Sequence, residues 1–254
     1  LIVITATVAI AITVFGVMAV LATPVEEHPF FAPVTQINNP EIIAYRGGSK
    51  LWPENTLYAF EQAKTLGVDI LEMDVRLSAD GAMVLMHDSS VDRTTNGTGA
   101  VAQLTAAELQ SLDAAYHWSD DHGQTYRYRG HGITVPIMAE VLSTFPEMRK
   151  SIKMQTPERV LSRTLCALIY THAQMDRILV TSINEVSLQD FREMCPSVAT
   201  SASNKEVRSF FALNMAFLVP IYNPAFHALQ VPIQRNGIQV ITAGFVRAAH
   251  ERGI

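Results

Sequence analysis

The sequence predicts an α/β fold in which buried strands alternate with helices, preceded by one long apolar helix. Short apolar runs at residues 42–43, 70–77 and 177–182 have the composition of buried strands. Apolar side chains at helical spacing follow these runs, and such an alternation is typical of a parallel sheet covered by helices. Residues 41–254 have a length that suits one such domain better than two.

The N-terminal segment is predicted to be a membrane anchor. Residues 1–24 carry no charged side chain and are dominated by Ile, Val, Ala and Leu. This length can cross a bilayer as one transmembrane helix, which needs ~20 apolar residues, whereas a signal peptide has an apolar core of roughly 7 to 15 residues. A cleaved signal segment is the alternative, because Val20-Leu21-Ala22 is an acceptable cleavage context.

Residues 25–40 contain prolines and no hydrophobic periodicity, which predicts a tether between the membrane and the domain. We expect the domain to lie outside the cytoplasm, either anchored to the membrane or, alternatively, secreted or periplasmic. Cys166 and Cys195 are too few to imply a disulfide framework, although they could pair in an exported protein.

The first strand, at residues 42–43, is followed by a helix whose limits are marked in the sequence. Pro53 suits the first turn of a helix, residues 57–63 carry apolar side chains at helical spacing, and Gly67 provides a stop. Together these residues predict the first strand–helix unit of the domain.

The second strand is predicted to separate acidic from aliphatic side chains. Because side chains alternate across a strand, Glu72, Asp74 and Arg76 share one face and aliphatic residues occupy the other. Oxygen ligands two residues apart can bind a hard cation together, so Glu72 and Asp74 are a candidate metal site. A solvated sheet edge is the alternative, because carboxylates are rarely buried.

Asp80-Gly81, which lies between two apolar runs, predicts a two-residue hairpin turn. The register of that turn places Asp74 opposite His87 and so brings an imidazole to the two carboxylates. Asp88 is expected either to orient His87 or to cap the turn that follows it.

The strand–helix alternation is interrupted once and then resumes. Residues 89–132 are rich in Gly, Asp, Tyr and Thr and break the pattern. Residues 177–182 and 237–242 are then predicted as buried strands, with helices over residues 157–171 and 243–252.

A series of short motifs runs from residue 45 to residue 99. They are Tyr45-Arg46-Gly47, Pro53-Glu54-Asn55-Thr56, Glu72-Met73-Asp74-Val75, Asp80-Gly81, His87-Asp88 and Arg93-Thr94-Thr95-Asn96-Gly97-Thr98-Gly99. With these motifs in this order, the chain resembles the glycerophosphodiester phosphodiesterases, and most of all their membrane-attached or exported bacterial members. The resemblance extends from about Ile42 to the last residue.

This resemblance implies a (β/α)8 TIM-type barrel, whose catalytic groups lie at the C-terminal ends of the strands. It also implies that residues 89–132 form a small insertion over the site, after the second or third strand of a barrel domain at residues 41–254. Family members continue into a closing strand, so we expect the domain to be truncated at its C-terminus.

The resemblance further implies hydrolysis of glycerophosphodiesters to an alcohol and glycerol 3-phosphate, with a divalent cation (Ca²⁺ or Mg²⁺) as cofactor. Glu72 and Asp74 would bind that cation. Arg46 would be catalytic and would grip a phosphate oxygen of the substrate, and His87 would be one of two acid/base imidazoles. No organic cofactor is expected.

Two departures from the family fall at functional positions. Tyr45 stands in the catalytic position of the first histidine, and a phenol with a pKa of about 10 is a poor general base. Lys153 stands where a third metal-binding glutamate belongs, while a two-residue slip would leave Ser151 there. Neither alignment supplies a carboxylate, so Lys153 is expected to contact substrate or to occupy the place of the cation.

Two hypotheses follow from these departures. One is an active, metal-dependent phosphodiesterase; the other is a membrane-tethered, catalytically impaired relative that binds phosphodiester head groups and has lost the cation. The expected partners are a small-molecule glycerophosphodiester and the membrane, through the N-terminal helix. Nucleic acid is not an expected partner, because the net charge is −5 and the chain has no basic run.

The segment of residues 89–132 holds further residues that are candidates for a role in binding or in packing. His117, His122 and His131 could form a second metal site or be exposed loop side chains. Arg93 and Asp92 are expected to tie down their loop. Aromatic residues interleaved with arginines could line a head-group pocket or pack the insertion, and these are Tyr116, Trp118, Tyr126 and Tyr128 with Arg127 and Arg129.

Overall fold

The protein is described here by a computed structural model covering residues 2–32 and 40–254. Residues 33–39 of the predicted tether, and Leu1 of the predicted anchor, lie outside the described residues. The predicted domain limits at residues 24 and 40 therefore stay predictions.

The described residues alternate strands and helices along most of the chain. The α-helices are α1 (Ile2–Leu21), α2 (Leu57–Thr65), α3 (Ala106–Gln110), α4 (Met138–Thr144), α5 (Arg159–Thr171), α6 (Glu185–Met194), α7 (Asn204–Met215) and α8 (Ala243–His250). The strands are β1 (Ile43–Ala44), β2 (Ile70–Leu77), β3 (Met83–Leu85), β4 (Arg149–Met154), β5 (Ile178–Thr181), β6 (Ala199–Thr200), β7 (Gln234–Arg235) and β8 (Ile238–Gln239).

The chain divides into two compact units, and the larger comprises Pro29–Ala199. Its strands pair in the order β1-β2-β4-β5-β6, with β3 antiparallel to β2 at one side. The pairs β1–β2, β2–β4 and β4–β5 are parallel. The predicted α/β class with a parallel sheet is confirmed; the eight-strand closure of a barrel is not reached among the described residues.

The core of this unit lies on the aliphatic face of β2 and β4. Leu71, Met73 and Val75 of β2 are fully buried and pack with Ile152 and Met154 of β4 and with apolar side chains of α2, α4, α5 and α6. Because strand side chains alternate, this packing directs the polar side chains of both strands to the opposite face.

Helix α2 begins later than the proline of its motif. Thr56 is the N-cap and accepts a hydrogen bond from Ala59 N at 3.1 Å, while its hydroxyl donates to Pro53 O at 2.8 Å. The predicted helix start at Pro53 was therefore wrong by about one turn, because residues 53–56 form the capping turn instead. Gly67, at φ 77°, ends the helix as predicted.

The β2–β3 hairpin has a different register from the predicted one. Val75 pairs with Leu85 and Arg76 with Val84. Asp74 O accepts a hydrogen bond from Met86 N at 3.0 Å, so Asp74 lies opposite Met86 rather than His87. The predicted register was wrong by one residue.

The slip is caused by a three-residue loop in place of the two-residue turn. Ser78 N donates to Ala82 O at 2.9 Å, and Ala82 N donates to the Ser78 hydroxyl at 2.9 Å, so these two residues close the loop. Gly81 adopts the left-handed conformation at φ 79°, which is usual for the last residue of such loops.

The predicted insertion, residues 89–132, lies between β3 and α4 and shares a small apolar core with Val84 of β3, Met86 and Val135. The Arg129 guanidinium lies 4.1 Å from the centroid of the Tyr116 ring and 3.8 Å from that of the Tyr126 ring. Trp118 packs on Tyr128 with ring centroids 5.0 Å apart. These side chains are thus in contact with one another, which is the arrangement expected of packing.

The smaller unit comprises Leu1–His28 and Thr200–Ile254. Strands β7 and β8 form an exposed two-stranded hairpin within it. The predicted buried strand at residues 237–242 was therefore wrong, because these residues turn back on β7 instead of joining the sheet. Helix α8 forms where a helix was predicted.

The uncharged N-terminal helix α1 is part of the same unit, and the segment after it is hydrogen-bonded: Val25 N donates to Arg252 O at 2.9 Å. Among the described residues, no helix combines the length and apolar character required of a membrane span. The predicted transmembrane helix is not supported.

The two cysteines of the chain form a disulfide. Cys166, on α5, is joined to Cys195, which follows α6, and their Cα atoms are 5.7 Å apart. Sequence alone left this pairing open. The bond links two consecutive helices of the larger unit.

Candidate active site

The acidic face of β2 is buried, so the alternative of a solvated sheet edge was wrong. Glu72 is 8% exposed and Asp74 is 0% exposed. In the parallel pairing with β4, Ser151 lies beside Glu72 and Lys153 beside Asp74. The predicted metal-binding pair thus faces a hydroxyl and an ammonium on the neighbouring strand, and no third carboxylate.

Arg46 lies at the centre of the site, in the turn that follows β1. It adopts the left-handed conformation at φ 50°, and its backbone N donates to Glu72 Oε2 at 2.7 Å. Its guanidinium Nη1 donates to Glu54 Oε1 at 3.0 Å. Nε lies 3.1 Å from Asp74 Oδ2, an ion pair whose alignment falls short of a hydrogen bond. One residue therefore contacts three carboxylates.

Glu54 joins Arg46 to a second arginine. Arg93 Nη2 and Nη1 donate to the two Glu54 oxygens at 2.6 Å and 3.0 Å. Although burial raises the pKa of Glu54, the hydrogen bonds and charges of Arg93 and Arg46 lower it below its ordinary value. Asp92 Oδ1 accepts a hydrogen bond from Gly99 N at 3.3 Å, so both residues hold the loop as expected, and Arg93 also reaches across to the loop before α2.

His87 is held by the carboxylate next to it. Its Nδ1 lies 2.6 Å from Asp88 Oδ1, and Asp88 Oδ2 accepts a hydrogen bond from Arg93 Nε at 2.5 Å. The Arg93 hydrogen bond, aided by that of His87, lowers the pKa of Asp88 to about 2. Asp88 thus remains ionised and orients the His87 ring, the first of its two expected roles.

Asp74 is further held by two side-chain amides. Asn55 Nδ2 donates to Asp74 Oδ2 at 3.2 Å, and Asp74 N donates to Asn55 Oδ1 at 3.1 Å. Gln155 Nε2 donates to Asp74 Oδ1. Both Asp74 oxygens therefore already have partners within the chain.

Tyr45 is half-exposed at the edge of this cluster, and its ring lies 4.7 Å from the Arg46 guanidinium carbon. Burial raises the pKa of its phenol, and the charges of Asp74 and Glu72 raise it further, against the lowering effect of Arg46. Tyr45 therefore cannot supply the general base that a histidine supplies at neutral pH.

Glu72 is the most strongly perturbed acid of the site. Burial, followed by the charge of Asp74, raises its pKa to about 7, while the hydrogen bond from Arg46 N and the cations of Lys153 and Arg46 oppose this. The native state consequently binds a proton at Glu72 between pH ~4.3 and 7 that the unfolded state does not bind.

Glu72→Gln is therefore expected to raise the free energy of unfolding at pH 8 by up to about 3 kcal/mol, because it removes a buried charge and keeps an acceptor for Arg46 N. The gain should shrink as the pH falls from 7 to 4, where Glu72 is protonated in both states. Denaturant unfolding at pH 8 and pH 5 measures it. Glu61→Gln, at an exposed position of α2, is the control, and an unchanged or lower stability of Glu72→Gln at pH 8 would contradict the prediction.

The residues present do not fit the divalent cation that the resemblance implies. In residues 2–32 and 40–254, no cluster of three or more His, Cys, Asp or Glu side chains could hold a metal ion. Glu72 and Asp74 lie together, but Lys153 brings a positive charge to the third position. His117, His122 and His131 form no such cluster among these residues and are exposed, which agrees with the alternative of loop side chains rather than a second metal site.

Sequence reasoning missed the contacts that three residues make in the site. Asn55 and Gln155 bind Asp74, and Glu54 carries both arginines. Asn55 and Glu54 belong to the motif Pro53-Glu54-Asn55-Thr56. The order of the motifs along the chain indicated a functional site, but it did not indicate which residues these two side chains contact. Gln155 is two residues beyond Lys153 on the polar face of β4, so alternation alone could have placed it near Asp74.

The fold and site together define an α/β protein with paired acids, arginines and an oriented histidine around one edge of a parallel sheet. Polar groups at strand ends are the usual site of enzymes built on this architecture. A model of the "Glycerophosphoryl diester phosphodiesterase family" matches residues 46–254. The chain belongs to this family, whose fold is TIM-barrel-like.

Two bacterial relatives illustrate the similarity. A glycerophosphodiester phosphodiesterase of Caldanaerobacter subterraneus subsp. tengcongensis is 33% identical over 160 residues, which is 61% of this chain and 63% of the relative. One from Bacillus subtilis is 27% identical over 197 residues, which is 73% of this chain and 66% of the relative. The chain thus spans slightly less than two thirds of each relative.

A solved structure is similar as well. The Oleispira antarctica phosphodiesterase, in complex with the product sn-glycerol-3-phosphate, is 30% identical, has a TM-score of 0.56, and is covered over 65% of its length by 64% of this chain. The family and α/β fold implied by the sequence resemblance are confirmed.

Proposed function

We propose that this chain acts on glycerophosphodiesters and releases an alcohol and glycerol 3-phosphate. The observation that carries the proposal is His87, an imidazole held at Nδ1 by Asp88 at 2.6 Å, as an acid/base group requires. Membership of the family and the names of the relatives support the substrate class. The product bound to the Oleispira antarctica phosphodiesterase supports it too.

In this proposal the chain's own residues supply part of the chemistry. His87 donates or accepts a proton at the ring nitrogen that Asp88 does not hold. Arg46, fixed by Glu54 and Asp74, and Lys153 bind the non-bridging oxygens of the phosphodiester. Because Tyr45 replaces the family's first histidine, one of the two proton transfers has no side-chain catalyst, and turnover is slow.

The second candidate is a catalytically silent relative that binds phosphodiester head groups. Lys153 beside Asp74 and Tyr45 in the place of a histidine favour it specifically, because these changes remove a metal ligand and an acid/base group, while Arg46 and Lys153 keep positive charge that attracts phosphate. Binding without turnover distinguishes this candidate from the first.

We also propose that the domain is of the exported type and lies in an oxidising compartment outside the cytoplasm. The Cys166–Cys195 disulfide supports this, because disulfides persist in secreted and periplasmic proteins and are rare in the cytosol. The predicted membrane anchor forms no part of this proposal.

The test is the release of glycerol 3-phosphate from glycerophosphocholine by the chain and by His87→Gln. We expect slow turnover by the parent and a loss of at least about 100-fold in the variant, because the acid/base group is gone. His117→Gln, an exposed loop histidine, is the matched control and should retain the parent rate.

Equal turnover by the parent and His87→Gln would overturn the proposed role of His87. Binding of glycerophosphocholine without turnover in the parent would select the silent relative. Neither binding nor turnover would contradict both candidates.

A further inference from the structure

Positive side chains already surround the acid pair on which the family's metal site would be built. Arg46 contacts Glu72 through its backbone N at 2.7 Å, and its guanidinium lies 3.1 Å from Asp74 and 3.0 Å from Glu54. The Arg46 side chain is 11% exposed and that of Asp74 is 1% exposed. A buried guanidinium thus neutralises Asp74 from within the chain.

Lys153 supplies a second positive charge on the neighbouring strand. In the β2–β4 pairing it lies beside Asp74, two residue pairs beyond Glu72 and Ser151 and therefore on the same face of the sheet. Its positive charge stabilises the ionised form of the Glu72 carboxylate. Because Ile152 and Met154 fill the core on the other face of β4, Lys153 has to face the acid pair.

The acceptor atoms of Asp74 are also occupied. Gln155 binds Oδ1, and Asn55 binds Oδ2 while fixing the Asp74 backbone N–H. A hard divalent cation needs several oxygen ligands at about 2.0 to 2.6 Å. It would have to displace these amides and approach Arg46 and Lys153 closely, against direct charge repulsion.

We propose that Lys153, next to the family arginine Arg46, takes the place of the divalent cation in this chain, so that its site binds a phosphodiester monoanion without any metal ion. The inference deepens the proposed function, on which its choice of ligand rests. The acid pair then serves to hold two organic cations in position, and the cations attract the phosphate directly.

The first experiment is thermal unfolding of the full chain with Ca²⁺ or Mg²⁺ alone and with EDTA. A ligand that binds only the native state raises the melting temperature. We expect the same melting temperature in all conditions for the parent. Lys153→Glu, which supplies the missing carboxylate and removes the ammonium, should gain a metal-dependent rise of several degrees.

Two matched variants test whether that gain comes from the added carboxylate. Lys153→Met removes the ammonium without adding a ligand and should show no metal response. Lys205→Glu makes the same charge reversal on α7, outside this cluster, and should behave as the parent. A metal-dependent rise in the parent equal to that of Lys153→Glu would overturn the proposal.

The second experiment is titration calorimetry with glycerophosphocholine in EDTA and in Ca²⁺. We expect equal affinity of the parent in both conditions and about tenfold weaker binding by Lys153→Met, the loss of one charged hydrogen bond. Binding by the parent that requires Ca²⁺ would overturn the metal replacement while leaving the proposed substrate intact. No binding in either condition would contradict the substrate, and the melting experiment would then decide the metal question alone.

Discussion

The double variant Tyr45→His/Lys153→Glu is expected to release glycerol 3-phosphate from glycerophosphocholine at least about 100-fold faster than the parent when Ca²⁺ or Mg²⁺ is present. The first substitution restores an imidazole next to Arg46, and the second adds a carboxylate beside Asp74 and Glu72. A positioned acid/base group alone is worth about 10²- to 10⁴-fold in rate.

The rate gain of the double variant should be larger than the product of the gains of the two single variants. Proton transfer at the phosphate depends on the charge of the metal ion, and a bound metal ion accelerates the reaction little without the acid/base group. Single-turnover rates of the parent, both single variants and the double variant measure this coupling. Tyr45→Phe/Lys153→Met, which changes the same positions without adding either group, is the control. A double variant no faster than that control would show that other residues had diverged as well.

The second large effect is on stability and comes from Lys150, a fully buried lysine of β4. Its Nζ donates to Phe145 O at 2.5 Å, Met148 O at 2.8 Å and Gln174 Oε1 at 2.8 Å, so an ammonium has three acceptors. Lys150→Met leaves all three without this donor. We expect a loss of about 3 kcal/mol in the free energy of unfolding at pH 7, seen as a melting temperature lower by roughly 10 °C.

The pH dependence of stability provides an independent check. Burial lowers the pKa of Lys150 to about 7, below its ordinary value of ~10.4. Between these values the unfolded state binds more protons than the native state, so the contribution of Lys150 to stability rises with pH from 7 to 10. The variant should lack that rise.

Lys64→Met is the control, because Lys64 forms a single exposed ion pair with Glu147 and its loss should change the melting temperature little. Equal melting temperatures of Lys150→Met and the parent would show that the three acceptors find other donors.

Local periodicity made part of the fold predictable. The alternation along β2 separated its buried aliphatic face from its acids. The helix predicted over residues 157–171 corresponds to α5, which begins two residues later and ends at the predicted residue. The acid pair followed from the same alternation. These features depend on neighbouring residues, whose side-chain directions the strand or helix geometry fixes.

Contacts between distant segments were not predictable in this way. The hairpin register depended on the hydroxyl of Ser78, which closes a loop one residue longer than the Asp-Gly turn. Arg93 binds Glu54, 39 residues earlier, although Asp92 is adjacent in sequence. The exposed β7–β8 hairpin has a strand-like composition, and composition does not say whether a run joins the main sheet.

The shared carboxylate of Glu54 has a further consequence for the mechanics of this region. It clamps the loop before α2 to the loop after β3, since Arg93 of the second segment binds both Glu54 oxygens and Arg46 of the first binds Oε1. Separation of the two loops would cost Glu54, whose side chain is 14% exposed, both hydrogen bonds from Arg93. The two segments should therefore loosen together rather than one at a time, as a single cooperative element of the native state.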